Sequence, residues 1–243
     1  LRSPPDFGLK PPSEPLALIN INSCQPLSSG NTYTLTADIS SSGDCFSING
    51  LNNVVIDGNG FTITASGNAL RLTGHATDIW LKNAIINANT GVRIAGGPYS
   101  SCSTSSAERI NIQDNTFVNG GIVIGEGGAS TGCHILIKDN IFQSSGVGLV
   151  NYQFANLLNA TVINNYIADG LSVENFGNSL VMNNRIYKST SSGLVGSFKG
   201  NEDPNIRVKM TIINNTIIAN NALTCADEIV WFRHIQFGII DKN

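Results

Sequence analysis

Charge is scarce in this chain. Lys, Arg, Asp and Glu make up 13% of its 243 residues, 14 basic against 17 acidic, for a formal net charge of -3. A nucleic acid or an anionic membrane surface would want a clustered basic face, so neither is an expected partner. Met and Trp occur twice each and His three times. His75, His134 and His234 stand far apart, and no Cys-x-x-Cys is present, so neither a metal site nor a cofactor is expected. No apolar run approaches the ~18 residues of a membrane span. The chain opens at Leu1 without a charged-then-apolar leader and reads as a processed or trimmed product.

What is abundant points to strands. There are 31 Asn, 25 Gly and 29 Ile. Asn and Gly are poor helix formers, whereas β-branched Ile suits strands. With 41% hydrophobic residues and little net charge, disorder is excluded.

One phrase recurs: an apolar strand, a polar residue or two, Asn, any residue, then a large apolar residue. It reads Val55-Ile56-Asp57-Gly58-Asn59-Gly60-Phe61, then Leu81-Lys82-Asn83-Ala84-Ile85. Ile112-Gln113-Asp114-Asn115-Thr116-Phe117 and Ile137-Lys138-Asp139-Asn140-Ile141-Phe142 follow. Three more are Val162-Ile163-Asn164-Asn165-Tyr166-Ile167, Val181-Met182-Asn183-Asn184-Arg185-Ile186 and Ile212-Ile213-Asn214-Asn215-Thr216-Ile217. The key Asn stands at 59, 83, 115, 140, 165, 184 and 215, at separations of 24, 32, 25, 25, 19 and 31, a mean of 26.

Two residues after each Asn, an apolar residue always stands (Phe61, Ile85, Phe117, Phe142, Ile167, Ile186, Ile217), and three before it the same holds. The second phrase fits less well and reads as one residue short. A further short strand usually follows a glycine, as in Gly121-Ile122-Val123-Ile124 and Gly146-Val147-Gly148-Leu149. Such ~26-residue units cannot bury a core alone, but stacked units share one. Equivalent residues of neighbouring coils would lie ~4.8 Å apart, so the Asn amides, which both donate and accept, form a ladder along the bend. Asn also tolerates the left-handed backbone of a tight corner. The expected fold is all-β: a single-stranded right-handed parallel β-helix, a solenoid of about eight coils with an Asn ladder. The final phrase, Ile239-Ile240-Asp241-Lys242-Asn243, would end on an eighth ladder Asn. Residues 1–17, with five prolines, read as an extended arm before a helix domain at 18–243.

These repeats resemble the right-handed parallel β-helix of the pectate-lyase-like superfamily. More closely, they resemble the carbohydrate-binding and sugar-hydrolysis repeats of NosD-like and other surface proteins. The opening coil, from Cys24-Gln25-Pro26-Leu27 through Cys45-Phe46-Ser47-Ile48, is similar to theirs. The resemblance is specific for architecture, because this fold hosts lyases, hydrolases, adhesins and inert stalks.

For function, three readings follow. In the first, the chain is a non-catalytic secreted or cell-surface protein, structural or adhesive, its copies stacked end to end into a filament or surface layer. An unfinished coil at Asn243 would be a hazard unless covered, so either a longer protein continues beyond it or another subunit stacks there. Trp231, Phe232 and Phe237 in the last apolar stretch are candidate anchors of that interface. In the second, the chain is a polysaccharide lyase or hydrolase acting on acidic polysaccharide. The resemblance implies acidic residues holding Ca²⁺ and a basic residue taking a proton; Asp114 and Asp139 on adjacent coils, with Arg109 and Lys138 nearby, are the candidates, although Asp-Asn is also a good bend dipeptide. In the third, it is a passive carbohydrate-binding module whose Tyr166, Arg185 and Tyr187 form a sugar platform.

Five cysteines fit an extracellular or cell-surface location. Cys24 with Cys45, and Cys102 with Cys133, are disulfide candidates. Cys225 is left over as a buried thiol or an intermolecular bridge. Asn159-Ala160-Thr161 and Asn214-Asn215-Thr216 are glycosylation sequons in a chain rich enough in Asn to produce them by chance.

Overall fold

The computed structural model describes residues 17–95, 107–124, 132–150, 159–174, 178–188, 194–197, 209–219, 230–233 and 237–241. Every regular element among them is a strand, and all strand pairs are parallel. No helix is long and apolar enough to cross a membrane. The β-branched, Asn-punctuated composition thus yields the all-β chain that the sequence implies.

Two sheets hold these strands. The first has ten, in the order Ala17–Ile21, Asn31–Leu35, Asn52–Asp57, Thr77–Lys82, Ala107–Gln113, Gly132–Lys138, Asn159–Ile163, Asn178–Met182, Lys209–Ile213 and Phe237–Asp241. Spatial order follows chain order, and from Asn31–Leu35 onward the chain visits the second sheet between successive members. That sheet has fourteen strands, including the long Thr62–Thr73 and Ile85–Ile94. The first half of Ile85–Ile94 pairs with Thr116–Asn119 and its second half with Ile122–Ile124. This topology is compatible with a parallel β-helix.

Register builds the core. In the ten-stranded sheet Ile56, Leu81, Ile112, Ile137, Val162, Val181 and Ile212 lie opposite one another in turn. None of them is more than 3% exposed. In the other sheet Ile63, Ile86, Phe117, Phe142, Ile167 and Ile186 form a second wholly buried column. The rings of Phe117 and Phe142 stack at 4.5 Å with an interplanar angle of 11°. Glycine permits the tightest approach of these layers: a Cβ on Gly121 would collide with Gly146 O, and one on Gly146 with Asp169 O and Gly170 O.

The disulfide Cys24–Cys45 is formed, with a Cα–Cα distance of 4.9 Å. Closing a loop of that length contributes about 3 kcal/mol in the chain-entropy account. Cys102, Cys225, Asn243 and residues 1–16 lie outside the described residues, while Ala17 already pairs with Asn31. Cys133, Trp231, Phe232 and Phe237 fall in described strands, but their side chains lie outside what is described.

The first two repeats are corrected by register. Lys82 pairs with Gln113 and Ile85 with Thr116, so Asn83 stands level with Asp114 and Ala84 level with Asn115. Asn83 is therefore not on the buried ladder, and Ile85, 36% exposed, is not in the core. One rung earlier, Asp57 pairs with Lys82 while Thr62 pairs with Ile85, which leaves two extra residues in that corner. Asn59 and Gly60 absorb them in the left-handed region, with φ of 48° and 82°, and Asn59 stays exposed. The column that Phe61 was expected to join is occupied by Ile63. Gly58 sits against Ala84, where a Cβ would strike its Cα and Cβ.

Candidate functional site

Two parallel rows of polar residues follow the bend between the sheets. The inner row is Asn115, Asn140, Asn165, Asn184 and Asn215, each no more than 3% exposed. Each Oδ1 accepts from the preceding rung: Ala84 N to Asn115 (3.0 Å), Asn115 N to Asn140 (3.0 Å), Asn140 N to Asn165 (3.0 Å), Asn165 N to Asn184 (2.9 Å), Asn184 N to Asn215 (2.9 Å). Each Nδ2 donates to a carbonyl two residues upstream or one rung back; for Asn165 these are Ile163 O (2.9 Å) and Ile137 O (3.0 Å). Buried amides with this many partners are satisfied, which makes the row a structural element.

The outer row is Asn83, Asp114, Asp139, Asn164, Asn183 and Asn214, all at φ between 53° and 58°. Asn and Asp tolerate this left-handed conformation better than other side chains. Asn164, Asn183 and Asn214 each donate from Nδ2 to the residue of the preceding rung, at 3.0, 3.2 and 2.9 Å. Asp114 and Asp139 thus occupy corner positions that Asn fills elsewhere. Asp139 receives Asn164 and pairs with Lys138 Nζ at 3.1 Å.

Arg109 does not join them. It sits near the other end of the same strand, ~16 Å from Asp114 by strand rise. Its Nε and Nη2 donate to Asp78 at 2.6 and 2.7 Å, and its Nη1 donates to Glu108 at 2.6 Å. Asp78 in particular holds the guanidinium protonated above its usual value. Among the described residues, no group of three or more His, Cys, Asp or Glu is placed to hold a metal ion.

A second left-handed column, which no sequence pattern signals, is formed by Asn53, Asp78, Arg109 and His134, at φ of 53° to 56°. Strand pairing skips this position, Asn52 facing Thr77 and Val54 facing Ile79. Arg and His carry no corner signal, so only the pairing exposes it.

The outward row on the fourteen-stranded sheet is Thr62, Ile85, Thr116, Ile141, Tyr166, Arg185 and Thr216. Ile141 is 46% and Tyr166 37% exposed. The Tyr166 and Tyr187 rings lie 5.1 Å apart, tilted by 42°, and Arg185 Cζ stands 5.2 Å from the centre of the Tyr187 ring. All three candidate platform residues are therefore together on one face, with the exposed Ile141 paired beside Tyr166.

Acid sensitivity arises at the first corner. Burial pushes the Asp57 carboxyl up, but Lys82, Asn83 and the Asn59 N–H together hold it below its ordinary 3.8. A depressed value means that its stabilisation is present above the unfolded-state value, near ~3.9, and is lost as pH falls through the lower folded value. Asp57→Asn is expected to lose about 1 kcal/mol at pH 7. The gap to wild type should narrow as pH falls below the unfolded-state value and close as it passes through the lower folded one, as read by urea denaturation at a series of pH values.

No protein-family model, curated protein or solved structure matches the chain.

Proposed function

We propose that this is a non-catalytic, extracellular structural and adhesive protein, a right-handed parallel β-helix of about eight coils of the pectate-lyase-like kind, that holds saccharide on one outward face. The observation that carries the reading is the Tyr166–Tyr187–Arg185 cluster within an exposed row of Ile85 and Ile141. Aromatic rings beside a cation suit the apolar face and polar rim of a sugar. The Cys24–Cys45 bond supports an oxidising compartment, and the fully engaged inner Asn row supports a rigid scaffold. Arg109, held by Asp78 and Glu108, is a poor proton acceptor, which weighs against lyase chemistry there.

Immobilised acidic and neutral polysaccharides, probed by affinity electrophoresis, test this reading. Tyr187→Ala is expected to weaken retardation about tenfold, equivalent to a stacking loss of ~1–2 kcal/mol. Retardation by no polysaccharide, or equal retardation of wild type and variant, would overturn the reading, as would release of unsaturated uronate.

End-to-end association is favoured separately by the first strand, Ala17–Ile21. Among the described residues it is the outermost strand of its sheet, and its Leu18 is 72% exposed. Edge strands present unpaired backbone groups that another copy can take up. Sedimentation velocity over a range of concentrations should show reversible growth that Leu18→Lys abolishes; a monomer throughout refutes association.

A further inference from the structure

The two glycosylation sequons differ sharply in the folded chain. Asn159 is half-buried, its Nδ2 lies 3.1 Å from His134 Nδ1, and its hydroxyl partner Thr161 is only 4% exposed. Asn214 and Thr216, by contrast, are both exposed. Asn214 lies on the outer corner row at φ 53°, where the chain turns sharply away from the sheet. Among the described residues its Nδ2 makes one hydrogen bond, to Asn183 Oδ1 at 2.9 Å.

That last contact matters chemically. A primary amide nitrogen carries two hydrogens, and a glycosylated one keeps a single N–H. Attachment at Asn214 therefore removes a hydrogen the corner does not need and leaves the bond to Asn183 intact. The neighbouring Asn215 has no such freedom, because its Nδ2 donates to both Val181 O (2.9 Å) and Ile213 O (3.1 Å). The same corner occurs at Asn164 and Asn183, but the residues two positions on are Tyr166 and Arg185, which supply no hydroxyl. Among the described residues, only the 214–216 corner combines an exposed, singly bonded amide with the Thr that a sequon requires.

We infer that Asn214 is an N-glycosylation acceptor and that Asn159 is not. The donor is an oligosaccharide on a lipid diphosphate. The Asn214 Nδ2–C1 bond forms as the C1–O bond to phosphate breaks; the lipid diphosphate leaves, and one amide proton passes to a base. This inference rests on the extracellular reading above.

The experiment is export of the full chain through the secretory pathway of a eukaryotic host, followed by peptide mapping with amidase release in ¹⁸O water. The expected result is ¹⁸O label at Asn214 alone and a glycosidase-sensitive mobility shift that N214Q and T216A abolish. Thr161→Val, which removes the other sequon with little change of shape, should leave the shift unchanged. An exported chain with Cys24 and Cys45 joined but Asn214 bare overturns this inference and leaves the extracellular reading standing. Label at Asn159 also overturns it. An exported chain whose Cys24 and Cys45 remain free thiols overturns both.

Discussion

Asn165→Ala is expected to destabilise the protein by about 4 kcal/mol, lowering the melting temperature by roughly 8–16 °C for a chain of this size. Asn165 occupies the middle of the inner row. Its Oδ1 accepts from Asn140 N and Asn140 Nδ2 at 3.0 and 3.1 Å, and its Nδ2 donates to Ile137 O, Ile163 O and Asn184 Oδ1. Truncation leaves the buried Asn140 N–H without that acceptor, where water does not reach, and an orphaned buried group costs about 1–3 kcal/mol on top of the bonds lost. The outer row supplies the control. Asn183→Gly keeps the left-handed backbone and removes only exposed bonds, to Asn164 and Asn214, so a loss of about 1 kcal/mol is expected. Equal losses from the two variants would show that the rows do not differ as described. Chemical denaturation measures both, and hydrogen exchange should show the Asn165→Ala loss centred on the rungs that flank it.

Phe142→Ala is expected to cost about 3–5 kcal/mol, the usual range for emptying a buried aromatic site. Phe142 is fully buried, with Phe117 stacked on one side and Ile167 opposite it in register on the other. The rungs are tied by backbone pairing, so they cannot collapse into the cavity, which places the expectation at the upper end. Phe142→Leu refills most of the volume and should lose less than half as much. Thermal denaturation of both variants checks this, and a loss under ~1 kcal/mol for the alanine variant would mean that the stack contributes little.

Much of the fold was readable in advance because a repeat is a local signal multiplied. Strand, corner and strand recur about every 26 residues, and five of the proposed ladder positions carry Asn in the same phrase as the buried row. The phrase is ambiguous at Asn59 and Asn83 for a specific reason: Asn suits both the buried ladder and the adjacent left-handed corner. In most phrases the two stand side by side as Asp-Asn or Asn-Asn. Where only one Asn is present, its letter does not say which position it fills, and the pairing of Lys82 with Gln113 decides it. The candidate site was legible in part. Tyr166 and Arg185 share an outward column by simple alternation, whereas the tilt of Tyr187 toward both depends on side-chain packing. Arg109 stands apart from Asp114 because closeness in sequence along a strand is distance in space.

By itself, then, the sequence determined the strand content and the parallel stacking, since both follow from short-range pattern and repetition, and it offered Cys24–Cys45 as a candidate pair that the structure joins. Only the tertiary structure decided which polar residues are spent inside. Alternation would send Val55, Trp80, Asn111, Thr161 and Leu180 outward as one column on the ten-stranded sheet, yet Val55, Asn111, Thr161 and Leu180 are buried there. It likewise decided that Asp78 and Glu108 would hold Arg109, and that of two sequons only the one at Asn214 stays open. Burial depends on what other parts of the chain bring alongside, and no local pattern carries that information.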